Sequence, residues 1–265
     1  MMITKSYHNN DFLNTAINAI ETASDIILKA STPFIKEYKS KTDLVTNIDL
    51  KSEQIIKEII SSKFPTHSIL AEESGLANNN SEFCWIIDPL DGTTNFVHDY
   101  PSYGISIALY ENGVPLIAAV KELPIGNLYT AIKGSGAYCN NIKINTSYTK
   151  TLSSSLLVTG FGYNHGDNWQ KNMKLFKEFT DRTQGVRRLG SASIDFCHLA
   201  CGKVDAFWEY DLKPWDVAAG FLIATESGCL ITKLNGDEYS IYDNQVLATN
   251  SLIHQEMISI INKTI

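Results

Sequence analysis

The chain has 265 residues, of which 44% are hydrophobic, and its formal net charge is −7. This length and apolar content allow a sizeable core, and we predict one domain, 1–265, built from two closely packed lobes at about 1–145 and 146–265. The 22 Lys and Arg residues are scattered among 29 acids, which makes nucleic acid an unlikely partner, because polynucleotide binding normally needs a basic stripe.

The cysteines and the N-terminus indicate the compartment. The five cysteines are odd in number and form no C-x-x-C pair, so disulfide and zinc frameworks are poorly supported. Residues 1–20 contain no apolar core of signal-peptide length, and no apolar run of 18 residues follows. We therefore expect a cytoplasmic protein without a membrane association.

The first predicted element is an amphipathic helix. Apolar residues recur at helical spacing from Asn10 to about Ser31, with Asn9 or Asn10 as the cap and Pro33 as the stop. Nothing on this helix demands chemistry.

Two short acidic segments follow. Thr46-x-x-Asp49 precedes a second helical stripe, and capping of that helix is a sufficient local explanation for Asp49. Glu72 and Glu73 stand before Ser-Gly, after a short strand, and this local pattern is typical of a solvated turn.

The most informative stretch is 83–96. An apolar strand is predicted to end at Asp88, Pro89 forces a turn, and Asp91 adds a second carboxylate. With the Leu90 carbonyl these oxygens suit Mg²⁺ or Mn²⁺. Gly92 and the two threonines after it resemble a helix opening whose N–H groups hold an anion. Each piece alone could also be an ordinary turn.

The rest of the chain predicts mixed α and β layers. Residues 104–121 alternate about a turn at 111–113, and 128–144 continue in short runs, which indicates antiparallel strands. The second half adds a strand at 156–159, a helix at 168–180, and a helix that Ser191 could cap. Asp216 follows Pro214 in the first turn of a further helix, where it could complement the helix dipole.

The pattern W-x-I-D-P-x-D-G-T-T-N-F from Trp85 to Phe96 resembles the signature of the inositol monophosphatase family, which are metal-dependent, lithium-sensitive phosphatases. Further family-like motifs are D-L-V-T-x-x-D at 43–49, E-E-S at 72–74, G-S-A at 190–192 and W-D-V-A at 215–218. The resemblance covers almost the whole chain. It implies an α+β or α/β fold, the layered αβαβα sandwich of the inositol monophosphatase and fructose-1,6-bisphosphatase superfamily.

The resemblance also implies roles for individual residues. It makes Asp49 the partner that polarises Thr93, and it gives Glu72 a part in orienting the attacking water. Gly92 and Thr93 would hold the phosphate, and Ser191, Ala192 and Glu209 would face the substrate. The implied ligands of two or three Mg²⁺ ions, with Mn²⁺ as a substitute, are Glu72, Asp88, the Leu90 carbonyl, Asp91 and Asp216.

The implied reaction is hydrolysis of inositol-1-phosphate to inositol and phosphate by a metal-activated water. Thr94, Asn95 and Phe96 resemble the inositol branch, whereas the 3′-phosphoadenosine nucleotidase branch tends to have Lys-Glu-Phe there. Fructose-1,6-bisphosphate and histidinol phosphate remain open as substrates, because broad-specificity relatives share the metal motifs. Tyr163 stands where some relatives have a substrate-contacting serine, and this departure concerns the fine specificity.

Three further expectations follow from the resemblance. Relatives are commonly dimers, so we expect a homodimer that acts on a small phosphorylated polyol or sugar. A regulatory role as the binding partner of another macromolecule remains the non-enzymatic alternative. Lys39 and Lys41 are both candidates for a family lysine, although the strict family spacing falls on Tyr38.

Overall fold

In the computed structural model, described residues comprise 2–30, 36–38 and 44–265, and they form seven α-helices and fifteen strands. The helices are α1 (Met2–Lys29), α2 (Asn47–Lys63), α3 (Thr93–Val97), α4 (Asp167–Arg182), α5 (Ala192–Ala200), α6 (Pro214–Glu226) and α7 (His254–Thr264). A 3₁₀ turn spans Leu152–Ser154.

The larger of the two main sheets has eight strands in the order β10-β9-β8-β7-β6-β5-β3-β4. Its neighbours pair antiparallel except β3 and β5, which are parallel. The strands are β3 (Ser68–Ala71), β4 (Gly75–Ala77), β5 (Phe83–Asp91), β6 (Gly104–Glu111), β7 (Val114–Glu122), β8 (Asn127–Ile132), β9 (Gly136–Cys139) and β10 (Ile142–Ile144).

The second main sheet has five strands in the order β12-β11-β13-β15-β14. Parallel pairing joins β11 to both of its neighbours, and β15 pairs antiparallel with β13 and β14. These strands are β11 (Leu156–Thr159), β12 (Gly185–Arg187), β13 (Ala206–Tyr210), β14 (Leu230–Thr232) and β15 (Gln245–Thr249). A separate antiparallel pair consists of β1 (Lys36–Tyr38) and β2 (Leu44–Thr46).

Three hydrophobic cores stack these elements into five layers. The first core lies between α1, α2 and one face of the eight-stranded sheet, with Trp85 at its centre. The second joins the other face of that sheet to α5, α6 and the five-stranded sheet, where Phe196 contacts Phe207 with ring centroids 4.8 Å apart. The third packs α4 and α7 on the outer face of the five-stranded sheet around Trp208. The layered αβαβα sandwich is thereby confirmed, while the two-lobe division stays a prediction.

Two sequence-based boundaries are wrong. Helix α1 begins at Met2, so neither Asn9 nor Asn10 caps it. Strand β5 does not end at Asp88 but continues to Asp91, with a break in its pairing with β6 between these two residues. The break accommodates Pro89, which has no N–H to donate to the ladder. Pro33, Lys39 and Lys41 lie outside the described residues.

The helices in the middle layer are in very close contact. A Cβ on Gly220 of α6 would lie 2.6 Å from Cβ of Phe196 on α5. No helix in the described ranges is long and apolar enough to cross a membrane.

Candidate active site

The end of β5 carries the central acids. Asp88 and Leu90 are buried at this end, and the Leu90 N–H donates to Asp88 Oδ1 at 3.0 Å. Ser52 of α2 donates from Oγ to the Pro89 carbonyl at 2.7 Å, which anchors the irregular part of the strand. The break in β-pairing therefore presents two carboxylates and the Leu90 carbonyl from one short stretch of chain.

Gly92 joins this strand to the short helix α3. It has a φ of 91°, in the left-handed region that favours glycine. A Cβ there would lie 2.9 Å from the Ser102 carbonyl oxygen and 3.3 Å from that of Gly190. Only glycine fits this position without a shift of backbone.

Asp49 links α2 to α3. Its Oδ1 accepts a hydrogen bond from Thr93 Oγ1 at 2.7 Å, across 44 residues of sequence. Its Oδ2 accepts from both N and Oγ1 of Thr46, at 2.9 and 2.5 Å. The capping predicted from local sequence and the contact with Thr93 therefore exist together, because the two oxygens of one carboxylate serve different partners.

Glu72 directly follows β3, which runs beside β5. The Glu72 N–H donates to the Ile87 carbonyl at 3.2 Å. Helix α2 then fixes the next turn, since Glu53 Oε2 accepts from the Glu73 N–H at 2.8 Å and Lys57 Nζ donates to Ser74 Oγ at 2.7 Å. The Glu72 backbone is thus held beside the end of β5, in a turn that is more structured than a solvated loop.

The second half of the chain reaches Asp91 through the start of α5. Asp91 Oδ2 accepts three hydrogen bonds, from Ser191 Oγ at 2.7 Å, Ser193 Oγ at 2.6 Å and Ser193 N at 2.8 Å. Ser191 occupies the N-cap position but makes no side-chain capping bond, so of the two interpretations left open for this residue, side-chain capping of the helix is wrong. Its hydroxyl is used instead to hold Asp91.

A second contact joins the same two regions. Asn95 on α3 donates from Nδ2 to the Leu189 carbonyl at 2.7 Å and to the Ser102 carbonyl at 2.6 Å. The signature helix is thereby attached to the turn that leads into α5. Tyr163 also approaches α3, with its hydroxyl 3.5 Å from Thr94 Oγ1.

Glu209 lies on the second main sheet, and Asp216 lies on the helix that follows it in sequence. Asp216 stands in the first turn of α6 and accepts from the Lys213 N–H at 2.6 Å. Glu209 on β13 is 8% exposed, and its carboxylate lies directly against Gly160, where a Cβ would overlap both oxygens. Glycine at 160 is therefore required to leave room for this acid.

Burial and mutual charge repulsion shift the pKa values of the acidic side chains in this site. Burial raises the pKa of Asp88 well above its ordinary value, and the negative charges of Glu72, Asp91 and Asp216 raise it further. Burial also raises the pKa of Asp216, although the hydrogen bond from Lys213 opposes this rise. The pKa of Asp91 is raised by burial and lowered in part by Ser193 and Ser191. The site therefore concentrates negative charge that a cation would neutralise.

The donor set fits a hard divalent cation, because carboxylates and one carbonyl supply only oxygen. In the described part of the chain, no three His, Cys, Asp or Glu side chains are already arranged as a metal-binding group. The residues that would hold the cation are Glu72, Asp88, Leu90, Asp91 and Asp216.

Sequence reasoning named most of these residues but missed three that position them. Ser52 holds the Pro89 carbonyl, Asn95 holds the Leu189 carbonyl, and Ser193 holds Asp91. Ser193 directly follows the G-S-A motif, and this adjacency was the only local signal. The other two partners could not be identified without the tertiary structure.

Comparisons with known proteins agree with this architecture. The model of the inositol monophosphatase family matches residues 8–265. An inositol-1-monophosphatase from Synechocystis sp. is 44% identical over 84% of this chain and 78% of its own length. A putative Nus factor SuhB from Neisseria meningitidis serogroup B is 38% identical over 96% of this chain and 98% of its own.

Solved structures show the same similarity. An inositol monophosphatase from Anabaena superimposes with a TM-score of 0.86 and 39% identity, covering 97% of each chain. An IMPase/NADP phosphatase solved in complex with Mg²⁺ and phosphate has a TM-score of 0.81 and 26% identity, covering 97% of this chain and 95% of the other.

Proposed function

Because this chain belongs to the inositol monophosphatase family, we propose that it is a Mg²⁺-dependent phosphatase that hydrolyses inositol-1-phosphate to inositol and phosphate. The family and the Synechocystis relative make it a phosphomonoesterase. Beyond this activity, the proposal specifies inositol-1-phosphate as the substrate and Mg²⁺ as the cation. Its main support is the bond from Thr93 Oγ1 to Asp49 Oδ1, 2.7 Å long, formed beside the buried acids of β5.

We propose that Glu72, Asp88, the Leu90 carbonyl, Asp91 and Asp216 hold two or three Mg²⁺ ions, which Mn²⁺ could replace. When bound, such ions acidify water and offset the negative charge of the phosphate. The Mg²⁺ and phosphate in the related IMPase/NADP phosphatase support this choice of cation.

Thr93, Asp49 and Glu72 would direct the attacking water. Thr93 donates its hydroxyl hydrogen to Asp49, so its oxygen is left with lone pairs that can accept a hydrogen from water. Asp49 is itself fixed by Thr46, which holds the Thr93 hydroxyl in one orientation. Glu72 would accept a second hydrogen from the same water, so that an oxygen lone pair points at phosphorus.

Gly92 and Thr93 would hold the phosphate with their N–H groups. Helix α3 has only five residues, so its dipole is small and the N–H groups themselves must supply most of the attraction. Ser191, Ala192 and Glu209 would face the alcohol portion, where Glu209 accepts hydrogen bonds from substrate hydroxyls. No enzyme nucleophile is needed in this scheme.

Asp91→Asn tests the proposal. The substitution removes one negative charge and replaces one acceptor oxygen by an NH₂ donor. It should lower kcat/KM by about 100-fold or more, because Asp91 would help to hold the cation that in turn binds the phosphate. Phosphate release from inositol-1-phosphate in Mg²⁺ measures the effect. The exposed Asp99→Asn is the matched control and should retain wild-type activity.

A folded Asp91→Asn protein with near-normal turnover would contradict the assignment, and thermal unfolding reports whether it is folded. Should this variant unfold, Glu72→Gln replaces it with the same expectation. A panel with fructose-1,6-bisphosphate, histidinol phosphate and 3′-phosphoadenosine 5′-phosphate ranks the alternative substrates. Lithium should inhibit the Mg²⁺-dependent activity.

A second role as the partner of another macromolecule has one supporting observation, which is the similarity to proteins named Nus factor SuhB. Such a role would not require catalysis. A pull-down from lysate with wild type and with Asp91→Asn separates the two functions, because a partner retained equally by both proteins does not depend on the phosphatase site.

A further inference from the structure

Helix α2 turns a stripe of polar side chains toward the active site. Asp49, Ser52 and Glu53 are all buried, at 4% exposure or less, and their spacing of three and four residues places them on one face of the helix. Asp49 binds Thr93, and Ser52 binds the Pro89 carbonyl. The proposed function assigns no role to Glu53, although burying an acid is costly unless it is hydrogen-bonded.

Glu53 contacts the backbone of the turn that carries Glu72. Its Oε2 accepts a hydrogen bond from the Glu73 N–H at 2.8 Å. Its Oε1 lies 3.7 Å from Lys57 Nζ, which donates to Ser74 Oγ at 2.7 Å. Glu53 and Lys57 stand one helical turn apart on α2, so together they hold two consecutive residues of this turn.

Two hydrogen bonds fix the peptide planes on either side of the Glu72 Cα. The Glu72 N–H donates to the Ile87 carbonyl at 3.2 Å, which holds the preceding plane against β5. The bond from the Glu73 N–H to Glu53 holds the following plane against α2. Because peptide units are planar, these two bonds leave the Cα–Cβ bond of Glu72 little freedom of direction. Glu53 thus limits the positions that the Glu72 carboxylate can reach beside the end of β5.

We propose that Glu53 is a positioning residue for the cation site, which orients Glu72 through the Glu73 N–H. Asp49 lies one helical turn earlier and orients Thr93. A single face of α2 therefore sets the distance between the two groups that would direct the attacking water. This inference rests on the proposed phosphatase function, because it assumes that Glu72 holds a cation. It adds a residue that needs no contact with the cation itself.

Two conservative variants separate the reach of the Glu53 side chain from its charge. Glu53→Asp keeps the charge but is one methylene shorter, so its oxygens withdraw from the Glu73 N–H. Glu53→Gln loses the charge but keeps an acceptor oxygen at the same reach. In calorimetric titration with Mg²⁺, Glu53→Asp should bind the cation about tenfold more weakly than wild type. Glu53→Gln should bind it with an affinity close to that of wild type.

Amide hydrogen exchange in the metal-free protein measures the same contact without cation or substrate. The Glu73 N–H should exchange faster in Glu53→Asp than in wild type, because exchange requires its hydrogen bond to open. Glu53→Gln should keep the wild-type rate. Thermal unfolding reports whether each variant is folded. If Glu53→Asp does not fold, Glu53→Gln decides the question, since weaker Mg²⁺ binding with an unchanged Glu73 exchange rate overturns the proposal and wild-type binding supports it.

Glu226→Asp is the matched control, because Glu226 also holds the backbone of a turn. Its Oε1 accepts from the Gly134 N–H at 2.7 Å and its Oε2 from the Gly136 N–H at 2.8 Å. It is the last residue of α6, whereas Asp216 lies in the first turn of that helix. Glu226→Asp should therefore loosen a turn away from the acids and leave Mg²⁺ affinity unchanged.

The outcomes distinguish this proposal from the proposed function. Equal Mg²⁺ affinity in folded Glu53→Asp and wild type overturns the role of Glu53 alone. Weak binding by Glu53→Gln together with normal binding by Glu53→Asp also overturns it, because charge rather than reach would then matter. A wild-type protein that binds Mg²⁺ but releases no phosphate from inositol-1-phosphate contradicts the proposed function and leaves the role of Glu53 in place. If wild type binds no Mg²⁺, the proposed cation site fails and this proposal fails with it.

Discussion

Ser193 shows how a single side chain can control an acid from another part of the chain. Its hydroxyl and its N–H both bind Asp91 Oδ2, at 2.6 and 2.8 Å, so they fix the orientation of a carboxylate that we propose as a cation ligand. Ser193→Ala removes one of three hydrogen bonds that orient this carboxylate. We expect Mg²⁺ affinity to fall about tenfold to 100-fold, as is usual when a partner that orients a metal ligand is lost, and calorimetric titration with Mg²⁺ measures it.

Ser102→Ala is the control for this prediction. The Ser102 hydroxyl is buried and has no hydrogen-bond partner in the part of the chain that the structure describes, so its loss should leave Mg²⁺ affinity unchanged. Equal Mg²⁺ affinity in Ser193→Ala and wild type would show that the remaining two bonds suffice to orient Asp91.

At the level of secondary structure, the packing of α5 against α6 positions two residues of the site. Ser191 is the N-cap of α5, and Asp216 lies in the first turn of α6. Gly220→Ala would place a Cβ 2.6 Å from Cβ of Phe196. Alanine gains about 1 kcal/mol of helix propensity, but overpacking costs about 1–3 kcal/mol. We expect net destabilisation in urea unfolding, together with lower activity, because the helices must move apart.

Gly166→Ala is the matched control, since the nearest atom to its added Cβ would be 3.7 Å away. Gly166 is the N-cap of α4, where alanine is less favourable than glycine, so we expect a loss of stability of less than about 1 kcal/mol. Gly220→Ala with wild-type stability and activity would mean that the helices adjust at no cost.

For the whole molecule, Glu122 connects the eight-stranded sheet to the middle helical layer. It lies at the end of β7, and its Oε1 is 3.1 Å from His198 Nε2 on α5. Burial by itself would raise the pKa of Glu122, but the hydrogen bond and charge of His198, with Lys203, hold it below the ordinary value of 4.5. A carboxylate with a lowered pKa stabilises the fold above pH 4.5, and this stabilisation is lost as pH falls through the lower folded pKa.

Glu122→Gln should therefore be less stable than wild type at pH 7, by about 1–3 kcal/mol. The difference should shrink as the pH falls below 4.5. Urea unfolding of both proteins from pH 7 to pH 3 provides the measurement. A difference that stays constant to pH 3 would show that the ionised form of Glu122 does not matter for stability.

The sequence by itself predicted mixed α and β layers, because hydrophobic periodicity is a local pattern of neighbouring residues, and the resemblance of the D-P-x-D-G-T-T-N-F stretch to a family signature implied the layered sandwich. It also named Asp49 and Thr93, but local spacing explained Asp49 as a cap, and only resemblance suggested its contact with Thr93. The end of β5 was predicted wrongly, because Pro89 ends most strands and only pairing with β6 allows this strand to continue as far as Asp91.

Only the tertiary structure decided which partners hold the acids. Ser193 meets Asp91 across about a hundred residues, and Asn95 reaches the Leu189 carbonyl across a similar separation. Hydrogen bonds between distant segments and the burial of charge depend on how layers pack, and no periodicity along the chain records that packing.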